Sequence, residues 1–433
     1  MTTPADPGQA QGNRPGARRL SVGIFRHPDF RRLWLAGTVS MFGSEVSNLA
    51  IPLTAVLTLG AGSIGLGILY ASRDAPSLLF GLFAGPWVDR LRRQPVLIWC
   101  DLARAAVLIS IPIAWLAGLL SVAYLAIAAF LVGTLTVFFD VAHASYLPTV
   151  LRSDELIEGN SKIEVSESLT QFAGPGIGGL LIQALGAPLA IAFDAASFVG
   201  SAVFLGRIRA PEADGQSGAL RTGIVAEAWQ GVRFVLADPL LRPLVGYAAS
   251  TQLCMSGALA VYVLYAIDEL RLPPAIVGVT FMGAAPGTIL GALIVGPLLR
   301  RLGLGLTMSL AAFLPGLGVV LMTAADAASA APALVLIAGW FLLGLGAVYD
   351  IGEVSLRQAA TPDPLRGRVN ASRYFAFFGV MPLGALAGGL LGAIVGIRST
   401  LLLAALGLLV APLWIGLTAV RRLREPPSAG DEP

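Results

Sequence analysis

VAYLAIAAFLVGTLTVFFDVAHASYL, residues 122–147, is the stretch on which the fold turns. It holds one acid, Asp140, one histidine, His143, and no lysine or arginine. A helix of about 20 apolar residues crosses a hydrocarbon layer roughly 30 Å thick, and this run is longer than that. Eleven similar runs flank it, at 33–58, 64–88, 96–119, 162–185, 188–206, 243–267, 275–299, 303–323, 333–357, 371–395 and 400–420. The reading is an all-α integral membrane protein with twelve transmembrane helices.

Composition excludes the alternatives. Of 433 residues, 56% are hydrophobic and 13% charged, against about 25% charged in soluble domains. Such a chain cannot be wrapped in a water-facing surface, so a soluble enzyme, a disordered protein and a nucleic-acid binder are ruled out. The lipid bilayer is its solvent, and the net charge of +3 belongs to basic loops facing anionic lipid. Cys100 and Cys254 lie in apolar runs and read as small buried hydrophobes, not a disulfide. The only lysine, Lys162, follows Ser161, so no GxxxxGK[ST] phosphate loop exists. His27 and His143 make neither HExxH nor a multi-histidine site, and GxSxG is missing. No enzymatic activity, cofactor or bound metal is expected, and no nucleic-acid partner.

All but four of the 29 Lys and Arg lie in the tails, in loops after even-numbered helices, or at helix ends bordering those loops. The exceptions are Arg73 and Arg104 inside helices and Arg271 and Arg398 in the opposite loops. The positive-inside rule then puts both termini in the cytoplasm. The expected organisation is a cytoplasmic N-tail (1–30), a six-helix bundle (31–206), a cytoplasmic linker (207–242), a second six-helix bundle (243–420) and a cytoplasmic C-tail (421–433). Within the linker, Val225, Ala228, Trp229, Val232 and Leu236 have the spacing of an amphipathic helix lying on the membrane. The first twenty residues are polar with no signal-peptide core, and the end of the C-tail reads as disordered.

An offset of 210 residues superposes the halves. Asp140 falls on Asp350, His143 on Glu353, Asn160 on Asn370, and Gly174, Gly178 and Gly179 on Gly384, Gly388 and Gly389. Pro76 falls on Pro286 and Gly81 on Gly291; one residue of slip puts Gly85-Pro86 on Gly296-Pro297. Two parallel six-helix repeats imply a central cavity and alternating access by rocking of the halves.

The loop after helix 2, GPWVDRLRRQP, resembles the G-x-x-x-D-R-x-G-R-R signature of the major facilitator superfamily. Gly85, Asp89, Arg90 and Arg93 match, and Arg92 replaces the second glycine. On helix 5, Gly174, Pro175, Gly178 and Gly179 are similar to the GPxxGG motif of that superfamily's antiporters. FFDVAHASYLPTVL through NSKIE and SLRQAATPDPLRGRVNAS resemble the bacterial branch of enterobactin exporters and macrolide-efflux proteins. The resemblance implies a cytoplasmic gate at Gly85, Asp89, Arg90 and Arg93, with Asp89 facing the positive N-terminal end of helix 11. The second half has Arg300 near the position of Asp89, so one latch of this kind is expected. Helices 2, 5 and 11 would meet at the junction of the halves, where glycines four apart allow close approach.

A charge at mid-membrane costs at least about 2.5 kcal/mol unless paired or watered, so the intramembrane charges are candidates for function. Glu45 lies about 20 Å above the inner end of helix 1, at about 1.5 Å per residue, and Arg73 and Asp74 reach the same height on helix 2. Adjacent residues point differently, so one of the two is expected to pair with Glu45. Asp140 and His143 on helix 4, with Asp350 and Glu353 on helix 10, complete the set of proton-coupling or cavity candidates. Asp101 and Arg104 (i, i+3) read as a structural pair on helix 3, and Asp194 on helix 6 as structural. Ser161 with Glu164 reads as a capping box opening helix 5, and Asn370 as a cap for helix 11. Tyr374, Phe375, Phe377 and Phe378, with Phe138, Phe139 and Tyr349, are a candidate stacking surface. Helix 4 lacks the arginine that many proton-coupled exporters carry there.

The expected function is secondary active export of amphipathic small molecules (antibiotic, macrolide or siderophore type) by a monomer in a bacterial inner membrane, exchanging substrate for protons. The alternatives are import of a small molecule, or a non-transporting membrane sensor or scaffold.

Overall fold

The structure, a computed structural model, describes residues 22–88, 90–210, 212, 232–328, 331–362 and 365–425. Among the described residues, twelve long helices follow one another. The first six are α1 (Pro28–Leu59), α2 (Ser63–Val88), α3 (Arg93–Leu116), α4 (Val122–Val150), α5 (Leu156–Leu185) and α6 (Ala187–Gly206). The second six are α7 (Leu241–Glu269), α8 (Pro274–Leu302), α9 (Leu304–Thr323), α10 (Pro332–Ala360), α11 (Val369–Val395, its first turn reaching back to Arg366) and α12 (Ile397–Gly416). Ten of the twelve are long and apolar enough to cross a membrane by length and composition; α2 and α5 fall short. The chain is a multi-pass membrane protein.

The pairing of helices repeats between the halves. In the first, α1 packs on α5 and α6, α2 on α4, and α3 on α4 and α6; in the second, α7 packs on α11 and α12, α8 on α10, and α9 on α10 and α12. Even the turns recur. Gly186 (φ 85°) joins α5 to α6 and Gly396 (φ 91°), 210 residues on, joins α11 to α12. Both hold a left-handed conformation that a residue with a Cβ disfavours.

Two N-terminal signals fail. Residues 156–161 continue α5 instead of capping it. The Asn160 amide donates to the Leu156 carbonyl at 2.9 Å and the Ser161 hydroxyl to Ile157 at 2.8 Å, each bonding back one turn inside the helix. Asn370 likewise lies within α11 and accepts a hydrogen bond from Arg357. Residues 213–231, which include Val225, Ala228 and Trp229 of the linker's expected amphipathic helix, lie outside the described residues, as do the end of the C-tail from 426 and Asp89.

The apolar cores show where the halves join. At the Arg-poor end one continuous cluster includes Val46, Leu53 and Ile191 of the first half with Val261, Val277 and Leu401 of the second. At the Arg-rich end each half has its own, one around Phe30, Leu97 and Tyr146, the other around Leu244, Met308 and Leu356. Contacts of α11 with α2 concentrate on Met381–Val395 and thin out over Arg366–Gly379; α5 likewise meets the Pro274–Phe281 part of α8. The molecule is sealed at the Arg-poor end and parts towards the Arg-rich end.

The Arg-rich end also gathers the chain ends. Asp29 at the start of α1 accepts from the Arg209 backbone at 3.2 Å, and His27 lies 2.9 Å from Glu155 in the loop after α4. The backbone amides of Leu304 and Gly305 donate to the carbonyls of Arg424 and Leu423 at 3.0 and 2.8 Å.

Candidate functional site

A cavity of about 700 Å³ lies between the halves. Its walls are the inward faces of α1, α2 and α4 and one face of α11, with Asp194 of α6 at its edge. From α1 come Ser47, Asn48 and Pro52; from α2, Tyr70, Arg73, Asp74 and Ser77; from α4, Val132, Thr136 and Asp140. Ala371, Tyr374 and Phe378 of α11 close the far side, with the Tyr374 and Phe378 rings 4.2 Å apart. The space is lined by a few charges set in apolar and aromatic walls, the composition that suits an amphipathic molecule.

Arg73 and Asp74 pair with each other, Nε to Oδ1 at 2.9 Å, against the expectation that one would take Glu45. Their Cβ atoms diverge, but the arginine stem is long enough to bring its guanidinium round to the neighbouring carboxylate. The Arg73 guanidinium also sits 5.2 Å from the Tyr70 ring centroid. Glu45 stands instead on the seam between α1 and α5, where its side chain lies over Gly174: a Cβ at that glycine would come 2.8 Å from Glu45 Cγ. Asp140 faces the cavity and, among the described residues, has no arginine at ion-pair distance.

The other candidates separate. His143 turns from the cavity towards α1, its ring stacked on Phe139 at 5.8 Å, and its Nε2 is buried without a hydrogen-bond partner. Asp350 is exposed and not part of the cavity wall among the described residues. Glu353, 2% exposed, is gripped by Arg357 (Nε at 2.8 Å) and by Arg373 of α11 (Nε at 3.1 Å). Hydropathy had set both arginines at the ends of their spans; α10 runs on to Ala360 and α11 begins at Arg366, so both lie within helices. Asp194, taken as structural, also borders the cavity while accepting a hydrogen bond from Ser197 at 3.1 Å.

Asp101 and Arg104 form the expected buried pair. The Arg104 guanidinium is sandwiched between the rings of Phe139 (4.1 Å) and Phe198 (4.2 Å) and reaches Thr136 of α4 at 3.4 Å. A cation from α3 therefore stands against α4, which has none of its own. The aromatic group divides. Tyr374, Phe377 and Phe378 cluster on α11, Phe138 packs on Phe80 and Trp87, and Tyr349 on Tyr247.

The glycines fall into two sets. Gly174 and Gly178 seat α5 on α1, and Gly384 and Gly388 seat α11 on α7, within the halves. The seam between halves is made by Gly179 against Gly278 and Gly389 against Gly67, where a Cβ on Gly67 would lie 2.9 Å from the Gly389 Cα. Further along α2, a Cβ on Gly81 would meet only Tyr374, at 3.5 Å, and one on Gly85 would meet nothing within 4 Å. In the gate motif, Arg90 is exposed, and Glu212 accepts hydrogen bonds from the backbone amides of Arg93 and Gln94, capping α3.

A model of transmembrane secretion effectors matches residues 21–430. The chain belongs to the transmembrane secretion effector family of the major facilitator superfamily. The chain is 29% identical over 408 residues to the multidrug efflux pump Tap of Mycolicibacterium fortuitum, covering 88% of this chain and 93% of that one. It is 26% identical over 411 residues to the enterobactin exporter EntS of Escherichia coli O127:H6, covering 93% and 94%. A solved bacterial homologue of the iron transporter ferroportin in its inward-facing state shares the fold, with a TM-score of 0.72 at 19% identity over 91% of this chain and 98% of that one.

Proposed function

We propose that the chain is a secondary active exporter of amphipathic small molecules, of antibiotic, macrolide or siderophore type, driven by proton antiport through alternating access in a bacterial inner membrane. The observation that carries this is the cavity: apolar and aromatic walls around Arg73, Asp74 and Asp140, sealed at one end only. Relatives that pump drugs and export a siderophore support export. The arginine distribution supports cytoplasmic termini, so the open end faces the cytoplasm, where an exporter loads.

Without a phosphate loop, an ion gradient drives transport. Asp74 is neutralised by Arg73, whereas Asp140 faces the cavity with no arginine at ion-pair distance among the described residues; Asp140 is therefore the first proton carrier, and Glu45 on the α1–α5 seam the second. Substrate and proton compete for the deprotonated carboxylate as the halves rock. Glu353 serves to hold α10 to α11.

Efflux of an amphipathic drug from loaded proteoliposomes under an imposed pH gradient tests the reading. Efflux that ignores collapse of the gradient sinks proton coupling. Asp140→Asn should abolish gradient-driven efflux yet keep drug–drug exchange, which needs no proton. Wild-type pH dependence in that variant would move the carrier to another acid.

A further inference from the structure

Three charged side chains are buried together in the first half: Asp101, Arg104 and Asp194, at 0%, 3% and 1% exposure. Asp101 and Arg104 of α3 are bonded to each other. Asp194 comes from α6, which packs on both α1 and α3. A Cβ on Gly43 of α1 would overlap Asp194 Oδ1 and Ser197 Oγ, so that glycine leaves the room the carboxyl occupies. Asp194 also borders the main cavity.

Asp194 has no cation of its own. Among the described residues, the charged groups that act on it are Arg104 and Asp101. The Arg104 guanidinium is already committed: it holds Asp101, reaches Thr136 and lies between the rings of Phe139 and Phe198. Asp140 of α4 draws on the same guanidinium. His143, also within its field, offers no second cation, because its buried Nε2 lacks the acceptor that an imidazolium N–H would need.

The side chains beside Asp194 are hydroxyls. Ser197 Oγ donates to Oδ1 at 3.1 Å, and Ser47 of α1 stands next to the same carboxyl. A hydroxyl both donates and accepts, so it serves a carboxyl in either protonation state. A carboxylate buried without a cation is costly and takes up a proton instead.

The internal repeat shows that the fold does not require this cluster. At the offset of 210, Asp101, Arg104 and Asp194 fall on Ala311, Leu314 and Ala404. The corresponding helices, α9 and α12, pack together in the second half with no charge at any of the three places.

We propose that Asp194 is the protonated carboxyl of this cluster and a proton-exchange site of the cavity. Its proton passes to cavity water, the carboxylate left behind is answered by Arg104, and water from the other side returns a proton as the halves rock. Its part in transport rests on the antiport reading, to which it adds an acid outside the pair Asp140 and Glu45; its protonation does not.

Infrared difference spectra of the protein in proteoliposomes at neutral pH read the proton directly. Wild type minus Asp194→Asn should show the carbonyl stretch of a protonated carboxyl. That band should shift in heavy water, because the cavity reaches the group. Asn has the shape of a neutral carboxyl, so the variant should keep the wild-type fold. In vesicles carrying a pH indicator, Asp194→Asn should move fewer protons per drug molecule exported than the wild type. A difference spectrum without the carbonyl band, a band that heavy water leaves unmoved, or an unchanged proton-to-drug ratio makes Asp194 a structural acid, and the inference fails. Should Asp194→Asn not elute as a monodisperse protein, Ser197→Ala, which removes the hydroxyl donor to Oδ1, should shift the same band; no shift overturns the assignment. A wild type that moves no protons overturns antiport alone, and the band with its shift in heavy water then decides the inference.

Discussion

The side chain of Glu45 lies across Gly174, where an added Cβ would come 2.8 Å from Glu45 Cγ. The glycine of the antiporter-type motif thus makes room for an acid of α1 at the depth of the cavity. Gly174→Ala must push Glu45 aside or part α1 from α5, an overpacking cost of about 1–3 kcal/mol. Efflux under an imposed pH gradient should fall about tenfold if the displacement of Glu45 raises the barrier to transport by roughly 1.4 kcal/mol. Glu45→Gly in the same chain should return part of the thermal stability, because it removes both the Cβ, 2.5 Å from the added methyl, and the Cγ, without returning transport. Gly62→Ala, where a Cβ meets nothing within 4 Å, is the control. Full activity in Gly174→Ala would show that Glu45 has no need of its seat.

At the sealed end, Gly389→Val should pry α11 from α2, because the glycine's Cβ position is 2.8 Å from the Gly67 Cα. If alternating access parts this end in the other state, loss of the contact shifts the balance by its differential free energy, about 1–3 kcal/mol. Spin labels at Leu119 and Leu334, both exposed at the Arg-poor end and one in each half, should report a longer distance population. An unchanged distance distribution with normal transport would mean that this seam bears no load.

Glu353→Gln strands two arginines that share one carboxylate. Breaking a buried pair costs about 3–5 kcal/mol, so thermal unfolding in detergent should move down by many degrees. Arg152→Ala breaks the exposed pair with Asp154, whose side chains are 81% and 68% accessible. It should cost about 0–1 kcal/mol. Equal shifts in the two variants would contradict the burial argument.

Hydropathy and the 210-residue offset made the twelve spans and the paired halves legible, because both report on backbone placement. Side-chain reach was less legible. Arg73 turned to Asp74 since helical spacing describes where Cβ points, not where a guanidinium five atoms further on can go. The repeat misled where the halves had diverged: Asp140 faces the cavity while Asp350 does not, and His143 is replaced by Glu353 with its two arginines. Those arginines were hidden by span ends drawn where hydropathy fell, short of where the helices end. Ser161 carried cap chemistry into a helix interior, because the side chain that caps a first turn can equally bond back to a carbonyl four residues earlier, and Asn370 accepts from Arg357 instead of capping α11.

The gate motif gives the remaining prediction. If Asp89 latches the Arg-rich end through its arginine neighbours and the first turn of α11, it stabilises only the state in which that end is closed. In the structure that end is parted, with Gly81 and Gly85 clear of close helix contact. Asp89→Asn keeps the shape and removes the charge, so the population should move further towards this open form and transport should slow. The expected bias is about 1–3 kcal/mol, a change of about 5- to 150-fold in the equilibrium. Cysteine labelling from the Arg-rich side, on a background without Cys100 and Cys254, reads it directly, and drug binding from that side should survive. Arg300→Ala, at the corresponding place in the second half, should do little, since no acidic latch stands there. Unchanged labelling with normal transport in Asp89→Asn would reduce Asp89 to a solvated loop charge.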